Sequence, residues 1–284
     1  MSLDTVIIYH AECPDGFGAA WAAWKHFGDH ATYLPVYHQT LPPDAVVGKH
    51  VYTIDYSYPR EMVREYAPQA LSWTIIDHHP SNEPSLPLST KHLFDLNHSA
   101  AVLSWNFFHP AAPTPKLLQY IEDVDLWRFL LPDTKILQES WGLRDQDFAI
   151  WSTMVDDFES DQTRKKYLDE GMVLRKKIDQ TRDRLIETAE TVEFEGYTCL
   201  MVNAPVQVSE IGNQLAKKLP PIGIVWSRRK KKVIVSLRSD GTVDVAKLAE
   251  RYGGGGLSAA AAFSWEVDNF LNFQEAKGRT SNES

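Results

Sequence analysis

Cysteine is nearly absent from this chain of 284 residues; only Cys13 and Cys199 occur. Two such residues make no disulfide framework, so the fold must rest on its core, and a reducing cytoplasm is the expected location. Long apolar runs are missing too. No stretch approaches the ~20 apolar residues of a membrane span. No charged segment followed by a long apolar core stands at the start, so no signal peptide is expected. An excess of positive charge is also lacking, since the formal net charge is −9. Proteins that grip long nucleic acids neutralise phosphates with basic surfaces. A long-duplex grip is therefore excluded, and short phosphate-bearing ligands held by a few focused cations remain open. The one dense basic run, Arg228 to Lys232, lies between two apolar runs that read as a β-hairpin. It is expected as the solvated tip of that hairpin.

What the chain does have is a repeated juxtaposition of apolar runs and metal-ligand residues. Val6 to Tyr9 ends in His10, Glu12, Cys13, Asp15 and Gly16. Val51 to Ile54 ends in Asp55, and Leu71 to Ile76 ends in Asp77-His78-His79. Leu117 to Ile121, helical or extended, leads into Glu122-Asp123-Val124-Asp125. In open α/β sheets the carboxyl ends of strands are where ligands bind, and imidazole with carboxylate suits Mn²⁺, Zn²⁺ or Fe²⁺. Cys13 is a softer donor and is read here as packing beside Pro14. His92, His98 and His109 do not end strands and are read as ordinary surface or helix-end residues.

Strands alternate with helices at Ala19 to Trp24 and Glu61 to Tyr66, which predicts a parallel sheet. Residues 81–91, rich in Pro and Ser, read as loop. Ser99 to Phe108 reads as a buried helix. The charged, proline-free stretch from Thr163 to Glu193 has helical periodicity and predicts one or two long connecting helices. The expected architecture is α/β in two lobes. Residues 1–160 form a metal-binding domain with a mostly parallel sheet flanked by helices, and 161–193 a helical connector. Residues 194–273 form a smaller α/β domain, and 274–284 a polar tail, with substrate expected in a cleft between the lobes.

With these residues in view, the chain resembles the DHH phosphoesterase superfamily over about residues 5–265. Its first motif is matched by His10, Glu12, Asp15 and Gly16, its second by Asp55, its third by Asp77, His78 and His79, and its fourth best by Asp123. Ser236-Leu237-Arg238-Ser239 and the run Gly253, Gly254, Gly255, Gly256 match its associated substrate-binding domain. There are two departures. Glu12 stands where Asp is usual, one residue further from Asp15, and Leu257 stands where a His usually follows the glycines.

Phosphodiester hydrolysis needs an activated water and a way to offset phosphoryl charge, which two cations about 3.5–4 Å apart provide. A bridging carboxylate must hold them that close, and Asp55, alone at its strand end, is the best candidate. The resemblance implies that His10 and Glu12 join Asp55 at one cation. It implies Asp15, His78 and Asp123 at the other, with Asp123 preferred to Asp125, whose neighbours Leu126-Trp127 point to a turn or salt bridge. It also implies Asp77 orienting an imidazole and His79 at the substrate phosphate. Mn²⁺ is the expected ion, with Mg²⁺ or Co²⁺ as alternatives. The glycines can cradle phosphate, and Arg238 presents a fork suited to it. Ser209 is either a helix N-cap or part of the substrate wall. The expected activity is hydrolysis of short oligonucleotides or small linear or cyclic dinucleotides. The alternatives are a phosphoanhydride hydrolase and a weakened, nucleotide-binding sensor.

Overall fold

Apolar β-branched runs bounded by polar turns make the first strands of the computed structural model, which describes residues 4–37, 44–267 and 270. β1 (Thr5–His10), β2 (Ala31–Val36), β3 (His50–Ile54), β4 (Ser72–Asp77) and β5 (Lys91–Phe94) form one sheet in the order β2-β1-β3-β4-β5. All of its pairings are parallel. Chain order reverses between β1 and β3, so this sheet has a topological switch point where those strands end, the place where open α/β sheets bind ligands. The Pro- and Ser-rich segment read as loop is largely a 3-10 helix, Pro80–Leu88, and β5 begins at its end.

Helices cover the sheet as βαβ connections require. α1 (Pro14–Phe27) begins with Pro at its first position, where the missing N–H costs nothing. Its small residues Gly18, Ala19, Ala22 and Ala23 are buried and allow close approach of α3 (Ala100–Phe108) and α4 (Lys116–Asp125). A Cβ at Gly18 would lie 3.1 Å from Ala101 and 3.3 Å from Leu118. α2 (Arg60–Tyr66) links β3 and β4, while α5 (Thr134–Trp141) and α6 (Phe148–Phe158) complete the helical side. Trp21, Trp105, Trp151, Phe17 and Phe158 are buried in one cluster with α1 at its centre.

α7 (Asp161–Glu187) is a single long helix, and the chain divides within it into two compact units, up to Arg175 and from Lys176. The second unit holds a six-stranded sheet of β6 (Glu190–Phe194), β7 (Tyr197–Asn203), β8 (Ile222–Arg229), β9 (Lys232–Ser239), β10 (Gly255–Leu257) and β11 (Ala260–Glu266). Its order is β10-β11-β9-β8-β7-β6, antiparallel except for β7 with β8. α8 (Val208–Lys218) and α9 (Val245–Glu250) pack on it. The basic run sits at the β8–β9 turn, as its flanks predicted. The expected polar tail at 274–284 lies outside the described residues.

Candidate metal centre

Asp55 follows β3 at the switch point with φ 56°, a left-handed conformation that Asp tolerates better than most residues. Its side chain is only 1% exposed, and its two oxygens face different partners. Oδ2 lies 3.3 Å from His10 Nδ1, and Oδ1 lies 3.4 Å from His78 Nε2. Oδ1 of Asp55 and Nε2 of His78 are buried without a hydrogen-bond partner. Leaving both unsatisfied is costly in an apolar interior, whereas a cation between them would satisfy both.

Around His78 Nε2 stand Asp15 Oδ2 at 3.7 Å and Asp125 Oδ2 at 3.5 Å. Asp15 is fixed by α3, accepting hydrogen bonds from the N–H groups of Ala100 and Ala101 at 2.8 and 2.9 Å. Burial, with the charges of Asp55 and Asp125, raises the Asp15 pKa well above the usual carboxylate range. Burial would lower the pKa of His78, but contact with Asp55 and the charges of Asp15 and Asp125 push it up to about 9. One imidazolium cannot balance this set of carboxylates, and divalent cations would.

Gly16 leaves the space the centre needs. A Cβ there would lie 2.3 Å from the His10 carbonyl oxygen and 3.1 Å from Asp55 Oδ2. Gly16→Ala is expected to lower both thermal stability and divalent-cation affinity, by about 1–3 kcal/mol in stability. Thermal melts with and without Mn²⁺ check this, and an unchanged pair of melting temperatures would contradict it.

The third motif divides its work. Asp77 Oδ1 accepts from the backbone N–H of His78 at 2.7 Å and of His79 at 3.0 Å, and lies 2.8 Å from His79 Nδ1. Its Oδ2 accepts from the Asn82 amide at 2.6 Å. Asp77 therefore fixes the turn and orients the imidazole of His79, whose side chain is 44% exposed. The contact makes Nδ1 the protonated nitrogen and leaves Nε2 for another partner.

Two of the expected metal ligands stand apart from the cluster that the structure brings together. Asp123 does not enter the cluster. Its carboxylate accepts from Leu130 N at 2.8 Å, Leu131 N at 3.0 Å and Thr134 Oγ1 at 2.6 Å, and so anchors the loop after α4. Asp125 takes the place facing His78. Helical spacing carried the signal: Leu118, Ile121 and Asp125 follow one another at i, i+3 and i+7. Leu118 and Ile121 line the side of α4 that meets Gly18 of α1.

Glu12 also stands outside. It is exposed and accepts the Tyr37 hydroxyl at 2.9 Å. The sulfur of Cys13 takes its place, within 4.8 Å of ligand atoms of His10 and Asp55. Counting back from Asp15 with the usual spacing, rather than forward from His10, leads to Cys13. Burial, then the nearby charge of Asp55, pushes its thiol pKa up to about 12.

In the second unit the structure brings Arg238 and Ser209 together, with Arg238 donating to Ser209 Oγ at 2.7 Å. Ser209 lies inside α8, whose N-cap is Gln207, so the capping alternative does not hold. A Cβ at Gly212 would lie 2.7 Å from Arg238 Cγ, so that glycine makes room for the arginine stem. The N–H groups of Gly253 and Gly254 bond Glu250 O and Ala249 O, both at 3.0 Å, closing α9. They are engaged there. Gly255 and Gly256 belong to β10, and Leu257 after them is 74% exposed.

Among solved structures, the chain resembles a DHH domain described as a member of the s1p family of ribosomal proteins. That match has a TM-score of 0.62 and 11% identity, covering 99% of this chain and 87% of the other. The chain has the DHH-domain fold. It also resembles the pGpG-specific phosphodiesterase PggH from Vibrio cholerae (TM-score 0.57, 12% identity, 98% of both chains covered). RecJ from Thermus thermophilus, in complex with Mn²⁺, matches with a TM-score of 0.51 and 13% identity, covering 95% of this chain and 51% of RecJ. In sequence, the chain is 28% identical over 297 aligned positions to the uncharacterized protein R106 of Acanthamoeba polyphaga mimivirus, covering 95% of this chain and 70% of that protein. No protein-family model matches. No helix among the described residues is long and apolar enough to cross a membrane.

Proposed function

We propose that the protein is a phosphoesterase that hydrolyses short oligonucleotides or small dinucleotides at a two-cation centre bridged by Asp55. The observation that carries this reading is the Asp55 carboxylate, one oxygen toward His10 and the other toward His78. His10 and Cys13 would hold one cation with Asp55. Asp15, His78 and Asp125 would hold the other, and their nitrogen and oxygen donors suit Mn²⁺. When bound, such a pair supplies an activated water and offsets charge on the phosphoryl oxygens.

The protein's own residues do the rest. Asp77 holds His79 in one orientation, and the half-exposed ring delivers a hydrogen bond to the phosphate or a proton to the leaving oxygen. Within the second unit, Arg238, oriented by Ser209, would offer a forked group to a phosphate. The intact buried ligand cluster argues against a weakened sensor.

A nucleotide, rather than a phosphoanhydride, is supported by the loop that Asp123 anchors. Trp127 stands two residues beyond Asp125, its Cα within about 7 Å of that of Asp125. Its side chain is exposed, and its ring meets Phe129 edge-to-face at 4.8 Å. An exposed indole two residues along the chain from a cation ligand is suited to stacking on a nucleobase, worth about 1–3 kcal/mol.

The test is a Mn²⁺-dependent turnover panel of linear and cyclic dinucleotides, short RNA, nucleoside bisphosphates, pyrophosphate and polyphosphate. Trp127→Ala is expected to raise KM for the best nucleotide about tenfold and to leave pyrophosphate untouched. Turnover confined to pyrophosphate or polyphosphate would overturn the nucleotide assignment. No turnover with any substrate despite bound metal would point to the sensor reading.

A further inference from the structure

Cys13 lies at the turn between β1 and α1, as the N-cap of a 14-residue helix; its side chain makes no full capping hydrogen bond, although the first-turn N–H groups of Gly16 and Asp15 face the sulfur. Pro14, beside which the sequence reading packs it, is exposed, and Cys13 itself is half-buried. The sulfur instead belongs to a group with His10 and Asp55 whose ligand atoms lie within 4.8 Å of one another. The centre as a whole calls for cations, since Asp55 is 1% exposed and its Oδ1, toward His78, has no hydrogen-bond partner; in the Cys13 group it is Oδ2 that faces His10. Gly16 keeps the same space clear, since a Cβ there would clash with the His10 carbonyl and crowd Asp55 Oδ2.

We infer that Cys13 is a sulfur ligand of the cation shared by His10 and Asp55, so that the two cation positions are chemically unlike. This rests on the two-cation reading of the centre. One position offers imidazole, thiolate and carboxylate, and the other only imidazole and carboxylates. Thiolate selects Zn²⁺, Co²⁺ or Fe²⁺ over Mg²⁺ and Mn²⁺, whereas oxygen-rich sites keep the harder ions. The centre is thus built for a mixed pair, with a borderline-soft ion on Cys13 and a harder one on Asp15, His78 and Asp125. On binding, the thiol proton leaves to solvent as the sulfur–metal bond forms. The site is also closed to a purely hard pair at full affinity, which separates this chain from the all-oxygen and nitrogen set that the sequence resemblance implied.

The experiment titrates Co²⁺ alone into the chelator-stripped full-length protein and follows near-ultraviolet absorption, which reports thiolate-to-cobalt charge transfer independently of turnover. Wild type is expected to develop the band, saturating at one sulfur-bound cobalt per chain. Cys199→Ser should keep it, while Cys13→Ser and Cys13→Asp should lose it. Cys13→Asp should still bind two Co²⁺ and shift the preference of that position from Zn²⁺ toward Mn²⁺ by about tenfold or more. Two bound Co²⁺ without the band, or a band that survives in Cys13→Ser, overturns the sulfur ligand while leaving the two-cation reading in place. Failure to bind Co²⁺ at all overturns both.

Discussion

Replacing Asp55 by alanine is expected to reduce turnover by about a thousandfold or more and to lower metal content from two cations per chain to one or none. The residue holds both halves of the centre, with Oδ2 at 3.3 Å from His10 and Oδ1 at 3.4 Å from His78. Neither neighbouring carboxylate can take its role. Asp15 is committed to the start of α3, and Asp77 to the backbone and ring of the DHH turn. Asp55→Asn is the sharper variant, because it keeps the shape and tolerates the left-handed backbone of this position. It should fold as wild type but lose most of the rise in melting temperature that divalent cations confer on a protein that binds them only when folded. Metal analysis and steady-state kinetics on the two variants check this. If stoichiometry and rate both survive, the bridge is wrongly assigned.

The second large effect separates two aspartates on the same helix. Asp123→Ala is expected to destabilise the protein by about 2–3 kcal/mol, because it leaves one buried and two part-buried donors, the Thr134 hydroxyl and the N–H groups of Leu130 and Leu131, without their charged acceptor. Metal affinity per folded molecule should change little. Asp125→Ala should do the reverse, with an unchanged or slightly raised melting temperature without metal and a loss of at least about tenfold in affinity at the cation shared with His78. Its carboxyl is held above the usual range by burial, so the metal-free protein does not gain from its charge. Calorimetry with and without Mn²⁺ distinguishes the two. Equal metal loss in both variants would return Asp123 to the centre.

These two positions also show how far sequence can be read. The three strand-end segments were legible because parallel strands buried on both faces must be continuous apolar runs, so the polar residue that ends each run stands out. His10, Asp15, Asp55, Asp77, His78 and His79 meet for that reason. The helix-borne ligand was harder. Asp123 and Asp125 both follow the same apolar run, and only the side of α4 facing α1 decides between them. Leu117, Leu118, Tyr120 and Ile121 form one apolar stripe, and Asp125, four residues after Ile121, continues it while Asp123 falls to its side. The neighbours Leu126-Trp127 draw the reading away from that spacing.

Position 13 was obscured differently. A thiol replaces the expected carboxylate, and the adjacent Glu12 offers the expected chemistry one residue away. The backbone decides, since Glu12 sits at φ 55° in the turn and its side chain meets Tyr37 rather than the centre. In the second unit, Arg238 and Ser209 were recognisable. At Gly253 and Gly254 the glycine run has a structural reason of its own, because closing α9 and packing beside β11 demand glycine as strongly as a phosphate would. A Cβ at Gly254 would lie 2.2 Å from the Ala262 oxygen.

Two cations sharing Asp55 are the centre of this mechanism. Anomalous diffraction from crystals of the full chain soaked in Mn²⁺ and Zn²⁺ tests that most directly. Two peaks about 3.5–4 Å apart are expected on either side of the Asp55 carboxylate, one against Asp15, His78 and Asp125 and the other against His10 and Cys13. A single peak, or a peak that Asp55 does not touch, would contradict it.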